Sequence, residues 1–452
     1  MLSVGKVLLL SGLLVSTFSC RESLMDGPVN EYGNNNTENT AYKTRSVDEV
    51  KELALQFYGM LGEKTDFNAS ATTPQKSQLE LDVFTLNQIS NGEDDSETIA
   101  SINKNFEPKR KLANDTLLYY VGFPNSGGVI LSGNEESTPL LAVLDDENFS
   151  FKDALSDTEN NEGILSFLLT AAEYNKNPEA FGDILNSDET DKSDPEAFRI
   201  RWNFWKKRRN DPPKPVYLVD YVAPKVKVEW RQGYPYNKYT PNNSPTGCVA
   251  TALAQALTVT RNWKSFKGID LDYDDLIKFK HMGKYNGEKY YYFYRYQKQA
   301  DKVARLIERI GYHVGMKYGP EGSSANMNFA VGRMFRDYPD IAMNVSKDKR
   351  DIKSTLKYHD RGIVLIASYP KKRGRKNNIG HAYIADGYMQ YSNGSDLIHV
   401  NWGWGSQSES KDKYERGYNG YYLSNLMAPH WIGQTPKEQL DLPHAWEFYC
   451  VY

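Results

Sequence analysis

An α+β fold is predicted for this chain, a helical part followed by an antiparallel sheet part rather than a doubly wound alternation. The order of elements carries that expectation. In the second half, helix-patterned segments at 249–259, 274–279, 297–310, 325–336 and 352–358 come first. Compact apolar runs at 362–367, 382–385, 390–391, 397–400 and 421–423 follow and read as strands. At 452 residues the chain is too long for one ordinary core and suggests two folded units.

Apolar residues make up 40% and charged residues 25%, as in a soluble globular protein, and the net charge of −3 asks for no nucleic-acid or anionic-membrane partner. The N-terminus reads as a targeting segment over 1–20. Lys6 supplies a thin positive region, an apolar stretch spans 7–18, and it ends at Ser19-Cys20. A cysteine there resembles a bacterial lipoprotein box, although Phe18 is bulkier than usual; a lipid on Cys20 would anchor an exported chain to an outer membrane or cell surface, and without it the chain would be secreted or periplasmic. The whole chain holds Cys20, Cys248 and Cys450, too few for a disulfide scaffold, and no CxxC, HExxH or His/Cys cluster at metal spacing is present. No metal or cofactor is expected.

Taken in order, residues 21–45 are rich in Asn, Glu and Thr and read as a flexible tether. Ser46 and Glu49 form a capping-box pattern ahead of Val50, Leu53, Ala54, Phe57 and Leu61, which places a helix at 47–60. Residues 79–83 alternate like a short strand. Residues 117–121 and 129–132 flank the turn Asn125-Ser126-Gly127-Gly128 as a hairpin, 139–144 adds a third strand, and 164–172 a helix. This outlines a small unit over 46–183. Residues 184–215 then pass from an acidic to a basic run and on to Pro212-Pro213, a composition break expected to act as an activation linker open to proteolysis near 206–209.

The second unit, 216–452, is organised around 246–255. Pro245 and Gly247 end a polar loop, and a small-residue, apolar helix begins at Cys248. Unpaired N–H groups at a helix start lower a thiol pKa and receive negative charge, which makes Cys248 a candidate nucleophile. A thiol at neutral pH needs a base, and His381 stands at the head of a strand 133 residues on. A third group normally orients such a ring, with candidates in Asn401-Trp402-Gly403-Trp404. Acyl-bond hydrolysis further needs donors to an oxyanion, for which the Cys248 N–H and the Gln232 side-chain amide are candidates. The aromatic run 290–296 is open to two readings, a recognition surface or core packing.

Five segments together resemble the streptopain family of papain-like cysteine peptidases. They are Trp230-x-Gln232-x-x-Pro235-Tyr236-Asn237, the 247–255 segment around Cys248, Tyr318-Gly319 with Gly322-Ser323, Gly380-His381-Ala382-Tyr383 with Asp386-Gly387-Tyr388, and 401–405 with Asn419-Gly420-Tyr421-Tyr422. The resemblance covers about 216–425, and the Cys-to-His separation agrees with the roughly 130–150 residues of papain-like enzymes. It implies a papain-like catalytic fold preceded by a small α+β inhibitory propeptide domain, a zymogen that activates by losing that domain, often through self-cleavage, and a cysteine endopeptidase acting on protein or peptide substrates. It further implies that Trp402 orients His381 in place of the papain asparagine, with Asn401 one residue off and turned the other way. A monomer is expected.

Three departures stand out: an insertion at 406–418, a polar segment at 259–263, and Gly133-Asn134-Glu135-Glu136 where the family carries an aspartate soon after the serine. Two other classes fit the same sequence. One is an inert surface binding protein on a protease fold, and the other an amidase or transpeptidase.

Overall fold

The computed structural model describes residues 43–64, 73–85, 116–124, 126–145, 149–156, 162–176, 216–283, 285–286, 289–320, 322–348, 350–370, 380–405, 418–427 and 444–452. The targeting segment, the tether up to residue 42, the activation linker at 184–215, the basic loop at 371–376 and the insertion at 406–417 lie outside the described residues.

The helix expected at 47–60 runs from Val47 to Lys64 (α1), and its capping box forms: the Ser46 N–H donates to Glu49 at 2.8 Å and the Glu49 N–H to Ser46 Oγ at 3.3 Å. Strands β1 (Glu80–Thr85), β2 (Thr116–Gly122), β3 (Gly128–Ser132) and β4 (Leu140–Leu144) form an antiparallel meander. Helices α2 (Phe151–Ser156) and α3 (Glu162–Lys176) follow. The buried Ser132 hydroxyl donates to Asn175 Oδ1, and the Asn134 amide donates to the Asn175 carbonyl at 2.8 Å, so the altered hairpin end is fastened to α3.

Beyond 216 come β5 (Leu218–Val222), α4 (Cys248–Thr260) and α5 (Gln297–His313). They are followed by β6 (Val345–Ser346), α6 (Asp351–Tyr358), β7 (Ile363–Pro370), β8 (His381–Tyr391), β9 (Asp396–Asn401), β10 (Gly420–Leu423) and β11 (His444–Val451). These eleven strands join one sheet in the order β1-β2-β3-β4-β10-β9-β8-β7-β11-β6, with β5 paired to β8, and two short two-stranded pairs lie apart from it.

The central strands of the sheet are buried on both faces. Ile363, Leu365, Ala367, Ala382 and Ile384 pack with Leu253 and Leu257 of α4 and Val303 and Ile307 of α5. Their strand neighbours Val364, Ile366, Tyr383 and Ala385 point the other way, into a core shared with Val50 and Phe57 of α1 and Phe167 and Leu168 of α3. Cys450 belongs to this second face, whereas Cys248 packs on the first; both are free thiols, and the sheet between them keeps them from pairing.

The α+β class and the antiparallel sheet agree with expectation, with four corrections. No separate propeptide domain is discernible: β4 pairs with β10, and residues 41–452 form one compact unit. The strands expected at 382–385 and 390–391 are one strand, broken in register between Ala385 and Gly387. The segment from Met316 to Ala325, which reads in the sequence as strand then loop, holds an isolated bridge between Lys317 and Ser324. Strands β5 and β11 were not expected. Among the described residues, no helix is long and apolar enough to cross a membrane, and no three His, Cys, Asp or Glu side chains stand together as a metal site.

Candidate active site

Cys248 begins α4, and its placement follows from Gly247. That residue sits at φ +83°, and a Cβ on it would fall 2.8 Å from Met316 Sδ and 2.9 Å from the Ser323 carbonyl. The 318–324 segment is held there in turn, since the Ser323 hydroxyl donates to the Pro245 carbonyl at 2.6 Å. This accounts for Ser323 among the motif residues: with Met316 it forms the wall against which the helix start is set.

The rest of α4 is buried along its length, so the helix is a rigid shaft with one half-buried thiol at its tip. No acidic residue occupies the first turn of α4, so no carboxylate there offsets the positive end of the helix dipole at Cys248.

Gln232 is anchored beside this tip. Its carbonyl accepts from the Thr246 N–H at 3.0 Å, and the Thr246 hydroxyl lies 2.7 Å from that of Thr251 on α4. The Gln232 side chain is half-buried, and its amide bonds to no other described residue. The loop therefore brings an uncommitted amide to the same helix end as the thiol.

His381, the first residue of β8, is buried. Cys248 Sγ lies 4.0 Å from the carbonyl of Gly380, the residue before it. The imidazole Nε2 is 2.8 Å from the Trp402 carbonyl oxygen, which can only accept, so Nε2 carries a proton. Burial lowers the ring pKa from 6.5 to about 4, with the Trp402 carbonyl opposing the shift. The ring is neutral near pH 7, and Nδ1 holds the lone pair that can take a proton. The Trp404 indole covers the imidazole face at 4.8 Å and 9°, a geometry that would also favour an imidazolium once one forms.

The sequence candidates therefore occupy distinct places. Cys248 begins α4, the Gln232 carbonyl is tied to Thr246 just before it, and Cys248 Sγ stands 4.0 Å from the carbonyl of the residue preceding His381. Trp402 meets His381 through its backbone carbonyl, while its indole N–H donates to the Tyr418 carbonyl at 3.0 Å. The Asn401 side chain turns away, donating to the Val228 carbonyl at 2.9 Å and to Gln255 at 3.1 Å. Trp404, inside the segment named for the orienting group, stacks on the ring instead, and Gln255 went unassigned in the sequence, visible only as an amide inside an otherwise small-residue helix.

This arrangement supplies a helix-start thiol, a neutral buried imidazole with its far nitrogen fixed, and the Gln232 loop tied by its backbone to the residue two before the thiol. Those are the parts of nucleophilic acyl transfer. Comparison with known proteins found the following similarities. The model of the Peptidase C10 family matches residues 230–410. The streptopain of Streptococcus pyogenes serotype M28 (strain MGAS6180) is 24% identical over 327 residues, covering 65% of this chain and 72% of its own length. Streptopain of the serotype M1 organism is likewise 24% identical over 334 residues, with the same coverage. Among solved structures, a fragment of Prevotella intermedia prointerpain A matches with a TM-score of 0.43 at 19% identity, covering 74% of this chain and 94% of that one.

Proposed function

We propose, from the premise that this chain is a cysteine-type peptidase of the broader C10, streptopain-related papain-like group, that it is an exported endopeptidase made as a zymogen. The observation that carries the mechanism is the joint placement of the Cys248 tip and the His381 ring, the latter fixed at Nε2 by the Trp402 carbonyl.

In the reaction, His381 Nδ1 takes the thiol proton and Cys248 Sγ attacks the peptide carbonyl carbon. The Cys248 N–H and the Gln232 amide hold the developing oxyanion. The C–N bond then breaks as the imidazolium returns its proton to the leaving amine. Water, deprotonated by His381, hydrolyses the thioester and frees the acid and the thiol.

The zymogen reading rests on where the segments before residue 177 touch this site. A Cβ on Gly163 of α3 would overlap the Trp402 indole, so the helix backbone lies directly on the residue whose carbonyl holds His381. Phe167 meets Tyr422 edge-on at 4.7 Å, and Phe149 meets Tyr418 at 5.5 Å. These contacts couple Phe149, Gly163 and Phe167 to Tyr418, Trp402 and Tyr422. They support an inhibitory role for the N-terminal segments within a shared sheet, and the targeting segment with Cys20 supports export on a lipid anchor.

The test is a mass spectrum of the full chain at neutral pH with reductant, wild type against Cys248→Ala. Self-processing is expected to yield a wild-type fragment beginning between 184 and 215, with the variant intact. If both stay whole, added trypsin followed by an iodoacetamide label on Cys248 distinguishes a silent zymogen, which labels, from an inert binding protein, which does not.

A further inference from the structure

One buried amide touches all three parts of the site. Gln255 lies seven residues after Cys248, two turns along the same face of α4, and is fully buried. Its Oε1 accepts from the Trp230 N–H at 3.1 Å and from Asn401 Nδ2 at 3.1 Å. Its Nε2 reaches Asn401 Oδ1 at 3.4 Å. Asn401 Oδ1 also accepts from the Gly403 N–H at 3.0 Å, and Asn401 Nδ2 donates to the Val228 carbonyl at 2.9 Å.

Backbone groups fix which way both amides face. The Trp230 and Gly403 N–H groups can only donate and the Val228 carbonyl can only accept, so each side-chain oxygen and nitrogen has one workable position. Trp230 is two residues before Gln232. Asn401 and Gly403 flank Trp402, whose carbonyl holds His381. Gly403, at φ +76°, brings the backbone so close to α4 that a Cβ there would be 3.7 Å from Thr251 and 3.8 Å from Gln255.

We propose that Gln255 is a positioning residue that sets the oxyanion loop and the His381-holding turn in one register against the nucleophile helix, through its paired contacts to Trp230 and Asn401. This rests on Cys248 and His381 being the reacting pair. An apolar side chain could fill the same volume, but packing is tolerant of small slides where a saturated amide pair is not. Two amides and three backbone groups inside a core are costly unless all are satisfied at once, so the network admits a single relative placement of the three elements. Gln255 touches neither substrate nor thiol; its effect passes through the geometry of Gln232 and His381.

The test compares wild type, Gln255→Met, Gln255→Asn, Gln255→Glu and Cys248→Ala, each as the full chain. Turnover of a peptide substrate is read after processing, with trypsin added where processing is slow, and the pH dependence of Cys248 alkylation is read on the unprocessed chain. Met keeps the volume without the bonds, and Asn keeps an amide too short to reach both partners. Both are expected to lose roughly tenfold to a hundredfold in kcat, at a KM within about twofold of wild type, because misplaced reacting groups slow chemistry more than binding. Their alkylation profile is expected to move toward that of an ordinary thiol. Glu retains the oxygen that accepts from Trp230 and Asn401 and is expected to recover most of the kcat.

A purely structural role predicts lowered melting temperatures with wild-type kcat and alkylation profile in the folded fraction, and that result overturns the inference. If the Met variant does not fold, the Asn variant decides by the same readouts. A Cys248→Ala chain that turns substrate over like wild type overturns the reacting pair and the inference with it. An inactive Cys248→Ala beside Gln255 variants of wild-type kcat overturns the inference alone.

Discussion

Two buried histidines on adjoining strands titrate in opposite directions. His381 is held at about 4 by burial. For His399, burial also favours the neutral form, but Asp386 at 2.6 Å and Asp145 at 2.8 Å outweigh it and raise the pKa to about 10. The signs follow from linkage. The unfolded chain protonates His381 near 6.5 while the folded chain declines the proton, so its contribution is full above about 6.5 and is lost as pH falls towards 4. The His399 contribution is full below about 6.5 and is lost as pH rises through 10. An NMR titration of the Cys248→Ala chain is expected to show one imidazole neutral down to about pH 4 and another charged up to about pH 10. Asp145→Asn is expected to lower the second by about a unit or more; a His399 signal titrating near 6.5 in the full chain would contradict the buried ion pairs. His381→Ala is expected to cut kcat by about 10⁴-fold or more, measured on the processed enzyme.

At this scale the sequence was informative where chemistry demands a particular side chain, as at Cys248 and His381. It was silent where a backbone group does the work. Any residue at 402 offers a carbonyl, so the hydrogen bond that fixes His381 leaves no mark in residue identity. The His399 pair leaves no mark either, because its partner Asp145 lies 254 residues away and no local pattern announces it.

Among the elements, α4 shows most directly how local chemistry is enforced by packing. Gly247→Ala would place a Cβ against Met316 and Ser323 at a backbone angle that L residues avoid. The expected cost is about 1–3 kcal/mol of backbone strain, before any overlap, visible as a lower urea midpoint with an unchanged slope. A wild-type midpoint would mean that the wall of Met316 and Ser323 yields. The helices were legible because their apolar periodicity is long. Strand β8 was read as two because Asp386-Gly387 interrupts its apolar run, and the structure puts a register shift there, with Asp386 buried against the Val226 N–H at 2.7 Å. Strand β11 carries Trp446, Glu447, Phe448 and Tyr449 without clean alternation, since it lies between β7 and β6 and both its faces are covered.

For the whole molecule, the composition break at 184–215 is a genuine feature of the sequence, yet it does not divide the core. Strand β4 pairs with β10, and Gly420 permits the approach, because a Cβ there would overlap the Val143 carbonyl. Pairing between strands so distant in sequence is set by the assembled sheet, and no single segment encodes it. One cut within 184–215 is therefore expected to leave the two pieces together. Gel filtration of the trypsin-nicked Cys248→Ala chain at neutral pH should give a single peak containing both fragments, and separate peaks would show that the shared sheet is too weak to hold them. Loss of the N-terminal piece then requires a second event, such as further digestion.

Strand β11 also bears on how the protein is born. A nascent chain emerges in order, and β7 and β8 appear well before residues 444–451, which occupy the far side of β7. Until that later stretch is available, β7 has an open edge and the sheet that carries His381 is unfinished. The sheet around His381 is therefore completed only when this late piece of chain arrives.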